Sequence, residues 1–583
     1  MHHFLFVCLF ALSSVLAAQM GTPPNVLLIL TDDQGYGDLG YQGNSVIRTP
    51  VLDSLAAESV RFANFYVSPV CAPTRASLMT GRYSLRTGVR DTYNGGAIMA
   101  GSEVTLAEVL RQAGYRTGIF GKWHLGDNYP GRPSDQGFDE SLIHLAGGMG
   151  QPGDFLNYFR GDSSYFDPVL WHNNEPEKYA GYCSDIFAGA ARDFIARADE
   201  RPFFCYLSFN APHTPLQVKA ADYARYAEAE VTLPYGEPTG TEPPMSEGDV
   251  EAARRVYAMV TNIDDNLRRV FRTLDSLEQR ENTIVIFMTD NGPQQYRYKG
   301  GLRGRKSDVY EGGVRVPFFL RYPKRYAGGT TITVPAAHLD VLPTLTELCG
   351  ATLPQDRAID GISLVPALGG NTAGLSDRSL FSYWTRKYPV PYRNMSLLRD
   401  GYKLVGQVDY DAPLERFALY DLRNDAAEQD NRIDERPELG QELRDSMDGY
   451  YRELIESPNL RTPPRILVDS TEENPLYLNR NDAAGQREIW TQDEVYGLWA
   501  LEVVTPGAYT VRAKFIDPQP PGGTMYLELG TQLFTKEIQD TTDLIELTDV
   551  MLERGPVDLI PIYKIGGRRV FPLWVRLGSS TGH

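Results

Sequence analysis

The sequence lacks an excess of positive charge. Its 583 residues include 57 Lys and Arg against 75 Asp and Glu, which gives a formal net charge of −18. A chain of this charge has no long-range attraction for nucleic acid or for an anionic membrane surface. We therefore expect no nucleic-acid partner. If the substrate is an anion, the positive charge that binds it must be concentrated at one site.

Cysteine is scarce as well. The chain has five cysteines, which are Cys8, Cys71, Cys183, Cys205 and Cys349. None of them is spaced as zinc ligands are, and they are too few for a dense disulfide framework. The sequence leaves open whether the last three form a bridge. With so few cysteines in the chain, a chemical role for one of them is a reasonable hypothesis.

Long apolar runs are absent after the first residues. Residues 4–18 are apolar, but this stretch is too short to span a bilayer comfortably, and the small residues at its end suit a signal-peptidase site. No Lys or Arg precedes it, which departs from the usual signal pattern, so an uncleaved anchor is the alternative. We predict that residues 1–18 are a signal peptide, that no later segment spans a membrane, and that the protein is secreted or periplasmic.

Short apolar runs alternate with helical patterns from residue 25 to about residue 322. The runs at residues 25–30, 118–120, 203–209 and 283–288 are typical of buried strands, and the patterns at 50–58, 105–113 and 251–276 are typical of helices. This alternation predicts the α/β fold class, with a mostly parallel central sheet flanked by helices. We assign residues 22–380 to this catalytic domain.

The pattern changes near residue 382. Short strands at 395–398, 402–405 and 417–420, followed by a helix near 438–456, predict a small antiparallel sheet with a helix packed on it, spanning residues 381–457. The turn-rich residues 457–464 are typical of a linker. Strands separated by Gly and Pro turns then predict an appended β-sandwich at residues 465–583.

Two polar pairs follow predicted buried strands. Asp32-Asp33 comes after the first strand, and Asp290-Asn291 comes after the run at 283–288. Ligands gather at the carboxyl ends of parallel strands. Four oxygen-bearing side chains suit a hard cation, and Ca²⁺ accepts cages built mostly from protein oxygens, whereas Mg²⁺ tends to keep its waters. Taken alone, each pair is also ordinary turn chemistry.

The segment CAPTR at residues 71–75 is typical of the start of a helix. Proline is favoured in the first turn, which places Cys71 near the helix N-terminus, where the dipole favours negative charge and the amides can bind an oxyanion. Arg75 lies one turn further and can share the same face. The alternative is a small buried cysteine, the commonest fate of an unpaired one.

Basic side chains occur in three further unusual stretches. Lys122 and His124 lie in FGKWHL just past a predicted strand, His213 is flanked by prolines in NAPHTP, and Lys306 precedes a Gly-Gly pair. Taken singly, any of these stretches could be a surface loop.

Together, these motifs resemble the type I sulfatases, the formylglycine-dependent, arylsulfatase-like members of the alkaline phosphatase superfamily. The resemblance rests on CAPTRASLMTGR at 71–82, GKWH at 121–124, DNG at 290–292, Lys306 with EGG at 311–313, and LYDL with ND at 419–425. Five ordered motifs with matching spacing are far more specific than one short pattern. The resemblance runs from about residue 25 to residue 456. Gln136 departs from it, because many relatives carry histidine there, but this position is not catalytic.

The resemblance implies that a maturation enzyme oxidises Cys71 to formylglycine (3-oxoalanine), whose hydrate is the nucleophile. One hydroxyl of the hydrate attacks sulfur to form a covalent sulfo-enzyme, and the second hydroxyl then expels sulfate. The resemblance also implies that Asp32, Asp33, Asp290 and Asn291, together with residue 71, hold Ca²⁺.

The same resemblance assigns roles to the basic residues. It implies that Arg75 and Lys122 stabilise the hydrate and that His124 is the base for its collapse. It also implies that Lys122, His213 and Lys306 hold the sulfate oxygens. His213 is our first candidate to protonate the leaving oxygen, and Lys306 is the second.

An acidic sulfated sugar would suit the basic and aromatic loops around the predicted strand ends. Arg303 is our predicted substrate-binding residue there, beside Arg160, His172, Arg297, Trp384, Arg386 and Lys387. Each is equally well explained as a solvated surface side chain. Two roles are open for four aromatic residues of the predicted sandwich: stacking on sugars, or packing in the core, which is the commoner fate of tryptophan. These residues are Trp490, Tyr496, Trp499 and Trp574.

We therefore predict a secreted, Ca²⁺-dependent sulfatase that acts on a sulfated polysaccharide or its oligosaccharides. One alternative is a phosphate mono- or diester hydrolase of the same superfamily, because its metal and oxyanion chemistry overlap. Another alternative is a non-catalytic carbohydrate-binding relative that has kept the fold.

Overall fold

A mixed sheet of ten strands forms the centre of the molecule in the computed structural model, which describes residues 22–231 and 244–579. The predicted signal peptide at residues 1–18 lies outside the described residues. The strands are β1 (Asn25–Thr31), β2 (Val60–Phe62), β3 (Arg116–Lys122), β4 (Glu140–His144), β5 (Val169–His172), β6 (Glu175–Lys178), β7 (Phe203–Ser208), β8 (Thr283–Thr289), β9 (Phe318–Arg321) and β10 (Thr331–Ile332). Their spatial order is β10-β2-β9-β8-β1-β7-β3-β4-β5-β6.

The five middle strands, β8, β1, β7, β3 and β4, are parallel to one another. Antiparallel pairings join β9 to β8 on one side and β5 to β4 on the other. All seven residues of β1 are buried, because helices cover both faces of a parallel sheet, and this explains the continuous apolar run in its sequence.

Six of the longer helices pack on the central sheet. They are α1 (Pro50–Ala57), α2 (Cys71–Thr80), α3 (Leu106–Gln112), α4 (Cys183–Ala196), α5 (Glu247–Ser276) and α6 (Val341–Leu348). Leu28 of β1 belongs to the apolar cluster shared with α2, α3 and α6. Its neighbour Leu27 belongs to the cluster shared with α1, α4 and α5. Because successive side chains of a strand point to opposite faces, the sheet is covered on both sides.

A second, four-stranded antiparallel sheet follows. Its strands are β11 (Leu380–Tyr383), β12 (Arg393–Arg399), β13 (Tyr402–Gln407) and β14 (Ala418–Asp421), paired in chain order. Helix α7 (Pro437–Ile455) packs on this sheet through Leu443 and Met447. Strand β11 was not predicted from the sequence.

The last part of the chain is a β-sandwich. One sheet contains β15 (Ile466–Val468), β17 (Gly497–Val503), β19 (Thr524–Leu529), β20 (Gln532–Glu537) and β22 (Gly555–Ile565). The other contains β16 (Leu476–Asn479), β18 (Gly507–Gln519), β21 (Thr542–Leu552) and β23 (Trp574–Ser579). Trp499 is fully buried in the core between the sheets and stacks on Phe571, with ring centroids 4.9 Å apart. Core packing is therefore the role of this tryptophan.

The sandwich packs tightly against the catalytic domain. Leu573 shares an apolar cluster with Leu145 and Phe155, and the rings of Phe155 and Tyr477 stack with centroids 5.4 Å apart. Trp574 joins this seam, 5.9 Å from the Phe155 ring. The α/β fold class with additional antiparallel sheets, predicted from the sequence, is confirmed.

The remaining elements are short. The two-residue strand Phe65–Tyr66 pairs with Arg315–Val316 on one side and with Ala336–Ala337 on the other. In the sandwich, Ala484–Gly485 pairs with β17, and Arg568–Val570 pairs with β22. Short helices occur at Ala220–Tyr223, Glu311–Val314, Val365–Leu368, Ala373–Ser376 and Pro458–Arg461. Turns of 3₁₀ helix occur at Gly40–Gln42, Ser84–Thr87, Tyr158–Ser163, His338–Asp340, Leu414–Arg416 and Arg487–Trp490.

Among the residues described, no helix has both the length and the apolar character that crossing a membrane requires.

Candidate active site

Two neighbouring parallel strands bring four polar side chains together. Asp32 and Asp33 follow β1, and Asp290 and Asn291 follow β8, whose last residue lies opposite the last residue of β1. The backbone N–H of Asp33 donates to Asp290 Oδ1 at 3.1 Å, and Asn291 Nδ2 donates to Asp33 Oδ1 at 2.8 Å. All four side chains are completely buried. The structure therefore brings together the four residues predicted to hold a cation.

Cys71 is the first residue of α2 and is 2% exposed. Every residue of this helix is buried. The ligand atoms of Asp32, Cys71 and Asp290 all lie within 4.8 Å of one another. The predicted nucleophile therefore lies beside the polar cluster, at a helix N-terminus, where the helix dipole favours negative charge.

The Arg75 side chain lies against the carboxylates of Asp32 and Asp290. Its Nη2 is 3.0 Å from Asp290 Oδ2, and its Nη1 donates to the Lys122 carbonyl at 2.9 Å and to Ser208 Oγ at 2.6 Å. The side chain is completely buried. These contacts fix the position of Asp290 relative to the end of β3.

Lys122 ends β3 and its Nζ is 2.5 Å from Asp32 Oδ2. His124 follows with a φ of +64°, so the chain turns there and does not continue the strand. His124 Nε2 donates to the Thr92 carbonyl at 2.8 Å, while its buried Nδ1 has no hydrogen-bond partner. Because only an N–H can bond to a carbonyl, Nδ1 carries the lone pair of the neutral ring.

His213 and Lys306 approach Asp33 from two loops. Lys306 Nζ is 2.6 Å from Asp33 Oδ1, and His213 Nε2 is 3.7 Å from Asp33 Oδ2. His213 Nδ1 donates to the Thr214 carbonyl at 2.7 Å, which leaves Nε2 facing the site. Cys71, His124, His213 and Lys306 all line one open cavity of about 980 Å³. Four of the six predicted catalytic residues therefore line one cavity, and the other two, Arg75 and Lys122, are completely buried against Asp290 and Asp32.

Three buried oxygens in this cluster have no hydrogen-bond partner: Asp32 Oδ1, Asp33 Oδ2 and Asn291 Oδ1. Leaving buried carboxylate oxygens unpaired is costly. A hard cation with oxygen ligands would satisfy all three. The donor set therefore fits Ca²⁺.

Charge balance supports the same reading. Three carboxylates face three cations, which are Asp32, Asp33 and Asp290 against Arg75, Lys122 and Lys306. With all three carboxylates ionised this cluster is neutral on its own, so a divalent cation would make it positive and able to attract an anion. With such an ion bound, the site would supply the local positive charge that an anionic substrate requires.

Burial and neighbouring charges shift the pKa values of these groups. Burial and the charge of Asp32 raise the pKa of Asp290 to about 7. Burial, reinforced by Lys122, lowers the pKa of His124 well below its usual value, and burial and Lys306 lower that of His213. Burial also raises the pKa of the Cys71 thiol. An unmodified Cys71 would therefore be a neutral thiol near pH 7 and a poor nucleophile.

The structure does not place Arg303 in the cavity wall, which corrects its prediction as a substrate-binding residue. Its Nη1 donates to Tyr420 Oη and to the Glu428 carbonyl, both at 2.9 Å, and its guanidinium lies 4.1 Å from the centroid of the Tyr310 ring. Arg303 instead connects the catalytic domain to the small antiparallel sheet.

Only one of the other predicted rim residues lines the cavity, namely Arg386. Arg297 is completely buried in an ion pair with Asp38. Arg160 donates to the Phe166 carbonyl, and His172 lies at an exposed strand end near Glu177. Trp384 lies under Arg386, and Lys387 Nζ donates to the Gly485 carbonyl.

Several cavity residues were not predicted. The catalytic domain adds Thr92, Tyr93, Gln151, Gln294, Tyr296 and Arg305, and the sandwich adds Arg487, Glu488, Trp490 and Thr491. Of these, only Trp490 had a sequence signal, as an aromatic residue in an appended β-domain. The others are brought to the cavity by tertiary packing, which local patterns do not encode.

The comparison with known proteins decides the family. A protein-family model described as Sulfatase matches residues 24–351. The chain belongs to the sulfatase family. Sulfatases hydrolyse sulfuric esters, and the chain is an enzyme of this class. A second model, described as N-sulphoglucosamine sulphohydrolase, C-terminal, matches residues 305–453 of the sulfatase. Both matches end before the β-sandwich.

Individual relatives agree with the family assignment. The sulfatase is 36% identical to arylsulfatase A of Homo sapiens over 427 residues, which cover 67% of this chain and 76% of the relative. It is 34% identical to N-acetylgalactosamine-6-sulfatase of Homo sapiens, over 62% of this chain and 68% of the relative. The crystal structure of Ps i-CgsB in complex with k-i-k-neocarrahexaose has a TM-score of 0.65 and 28% identity, and covers 75% of this chain and 94% of that chain.

Proposed function

We propose that this sulfatase is a secreted or periplasmic, Ca²⁺-dependent enzyme that removes sulfate esters from a sulfated polysaccharide or its oligosaccharides. Its nucleophile derives from Cys71, oxidised to formylglycine by a maturation enzyme. The observation that carries the proposal is the set of unpartnered oxygens of Asp32, Asp33 and Asn291, buried beside Cys71 at the floor of an open cavity.

Asp32, Asp33, Asp290 and Asn291, with residue 71, would hold the cation. Bound there, Ca²⁺ supplies a Lewis acid for the sulfate oxygens and lowers the pKa of an adjacent hydroxyl. The chain's own residues complete the site. Arg75 fixes Asp290 through their 3.0 Å contact.

The basic residues divide the remaining work. Lys122 and Lys306 place positive charge beside the carboxylates, where they would hold the sulfate oxygens while negative charge moves onto the leaving oxygen as the ester bond breaks. His124 presents an unpartnered Nδ1 that can take up a proton, because its Nε2–H is engaged by the Thr92 carbonyl. His213 is the first candidate to protonate the leaving oxygen, because its Nε2 faces the cavity, and Lys306 is the second.

Relatives support a carbohydrate substrate. One is named N-acetylgalactosamine-6-sulfatase, and one solved structure with the same fold holds a neocarrahexaose. The cavity is also at the large end of the range for ligand pockets, up to about 1,000 Å³. Export is proposed from the apolar residues at the N-terminus.

Rates on an aryl sulfate and on the matching aryl phosphate test the proposed reaction against a phosphate ester hydrolase. We expect the sulfate to be turned over much faster, and faster turnover of the phosphate would favour the alternative. Labelling of the folded enzyme with a hydrazide tests the nucleophile, because only a carbonyl at residue 71 reacts. An unlabelled, inactive enzyme after expression with a maturation enzyme would favour a non-catalytic binding protein.

A further inference from the structure

The active-site cavity has a wall that comes from the β-sandwich. Arg487, Glu488, Trp490 and Thr491 line the same cavity as Cys71. They belong to the turn of 3₁₀ helix at Arg487–Trp490 and the residue after it. The matched family models end at residue 453. This wall therefore lies outside the part of the chain that matches the family.

We propose that this turn, the sandwich wall at residues 487–491, forms a binding subsite for an anionic group on the sugar next to the one that loses its sulfate. The inference rests on the proposed function and adds to it the substrate class: an oligosaccharide with a sulfate or carboxylate on more than one sugar.

The sandwich wall is anchored on both sides. Ile489 is completely buried in the sandwich core, while its neighbours Arg487 and Thr491 are exposed. From the catalytic domain, Tyr93 Oη donates to the Arg487 carbonyl at 3.2 Å. Asn94 Nδ2 donates to the Gly485 carbonyl at 3.3 Å, and the N–H of Gly485 donates back to Asn94 Oδ1 at 2.9 Å. The wall is therefore held in place before any ligand binds.

Its position is next to the reacting centre. Thr92, whose carbonyl holds His124, directly precedes Tyr93. Trp490 packs edge-to-face on the Tyr93 ring, with centroids 4.7 Å apart and an interplanar angle of 74°. A ligand group that touches the sandwich wall therefore shares the cavity with the reacting ester, rather than lying on a remote surface.

The chemistry of this side of the cavity suits an anion on a sugar. Four cations line the cavity, Arg305, Lys306, Arg386 and Arg487, against the two acids Asp308 and Glu488. Arg386 is already bound to Asp91 at 2.7 Å. Arg305 Nη1 donates to the Gln294 carbonyl at 3.3 Å, and its guanidinium lies 4.2 Å from the centroid of the Tyr296 ring. Lys306 is paired with Asp33 and belongs to the catalytic cluster.

Arg487 differs from these cations. Its guanidinium forms no hydrogen bond or ion pair with any residue in the described ranges 22–231 and 244–579, and it is exposed. It is thus the cation available to a ligand at the sandwich wall, and a guanidinium matches the planar or tetrahedral oxygens of carboxylate and sulfate. The half-buried ring of Trp490 beside it offers an apolar face for a sugar ring.

The test compares Arg487→Gln with the wild-type holoenzyme on two kinds of substrate. The small substrate is an aryl sulfate, which fills only the catalytic centre. The large substrates are sulfated hexasaccharides from carrageenan, chondroitin sulfate and heparin, and the one that the wild type desulfates fastest is used. We expect the ratio of kcat/KM on the hexasaccharide to kcat/KM on the aryl sulfate to fall about five- to tenfold, mainly through KM.

Arg569→Gln is the matched control. Arg569 is an exposed arginine of the same sandwich that lies outside the cavity, so both rates should stay within about twofold of wild type. Because the proposed contact is between charges at the surface, the effect of Arg487→Gln should shrink at high ionic strength. Trp490→Leu should lower the same ratio, with thermal unfolding recorded to correct for lost packing on Tyr93.

The outcomes separate the two proposals. A wild-type enzyme that hydrolyses no sulfate ester rejects the proposed function. A wild type that hydrolyses the aryl sulfate but none of the hexasaccharides, or an Arg487→Gln variant whose substrate ratio equals that of the wild type, rejects the subsite alone.

Discussion

Replacing Lys122 with Met removes the cation closest to Asp32 among the described residues and keeps a side chain of similar length. The Lys122 ammonium is 2.5 Å from Asp32 Oδ2, whereas the Arg75 guanidinium is 3.9 Å away, and all three side chains are completely buried. In the variant, the buried carboxylate of Asp32 keeps the more distant guanidinium of Arg75 as its ion-pair partner.

The expected magnitude follows from this burial. Breaking an exposed ion pair costs about 1 kcal/mol or less, but breaking a buried one costs about 3–5 kcal/mol. Because Arg75 still faces Asp32, we expect a loss of about 3 kcal/mol in the free energy of unfolding, which leaves most domains folded. The turnover rate should fall by about 10²–10³, the effect of removing one fixed charge from a site where negative charge develops.

Lys403→Met is the matched control for burial. Lys403 is also buried, and its Nζ is 3.0 Å from Glu311 Oε1 and from Glu428 Oε1. It does not line the catalytic cavity. We expect a similar loss of stability and turnover within about twofold of wild type per folded molecule.

The assay is aryl sulfate hydrolysis at saturating Ca²⁺, with chemical unfolding of each variant in parallel. Turnover of Lys122→Met within threefold of wild type would refute the assigned role of this charge. Equal losses of turnover in Lys122→Met and Lys403→Met would show that the rate follows stability and not the chemistry of the site.

Four further predictions use the same site and its surroundings. Cys71→Ala should abolish turnover while the unfolding transition stays close to that of the wild type, and residual activity at the wild-type level would contradict a nucleophile at this position. His124→Ala should lower kcat by about 10²–10⁴, and a rate within a few fold of wild type would exclude it as the base. Chelation should lower the melting temperature, since a ligand at a hundredfold excess over Kd stabilises by about 2.7 kcal/mol, and an unchanged melting temperature would argue against a bound cation. Burial lowers the pKa of His338 to about 3. As the pH falls from about 6.5 towards 3, the unfolded residue takes up a proton and the folded one does not, so the free energy of unfolding decreases. Replacing His338 with Asn should therefore reduce the loss of stability between about pH 6.5 and pH 5 by about 2 kcal/mol, measured by chemical unfolding at both pH values.

The four residues predicted to hold a cation could be identified from the sequence because parallel strands bring them together. The apolar runs before Asp32 and Asp290 predicted two buried strands, and parallel strands end at the same edge of a sheet. The cysteine at a helix start followed from Pro73, two residues further along the chain. Local rules were enough here, since each residue is positioned by the element that it directly follows or begins.

The outer part of the cavity was not predictable in this way. Arg297 and Arg303 looked like rim charges, but their partners Asp38 and Glu428 lie 259 and 125 positions away in the chain. Whether a loop arginine is free or paired depends on such distant contacts. The sandwich wall at residues 487–491 depends in the same way on how one domain docks on another.

The complete burial of helix α2 has a consequence for biosynthesis. Every residue of the helix that begins with Cys71 is buried in the folded molecule, and of this helix only Cys71 lines the cavity, so another protein cannot bind the segment as an extended chain after folding. If residue 71 is oxidised by an enzyme, that enzyme must reach the nascent or still unfolded chain. A molecule that folded before this encounter would keep its thiol and stay inactive, so the relative rates of modification and folding would set the yield of active enzyme.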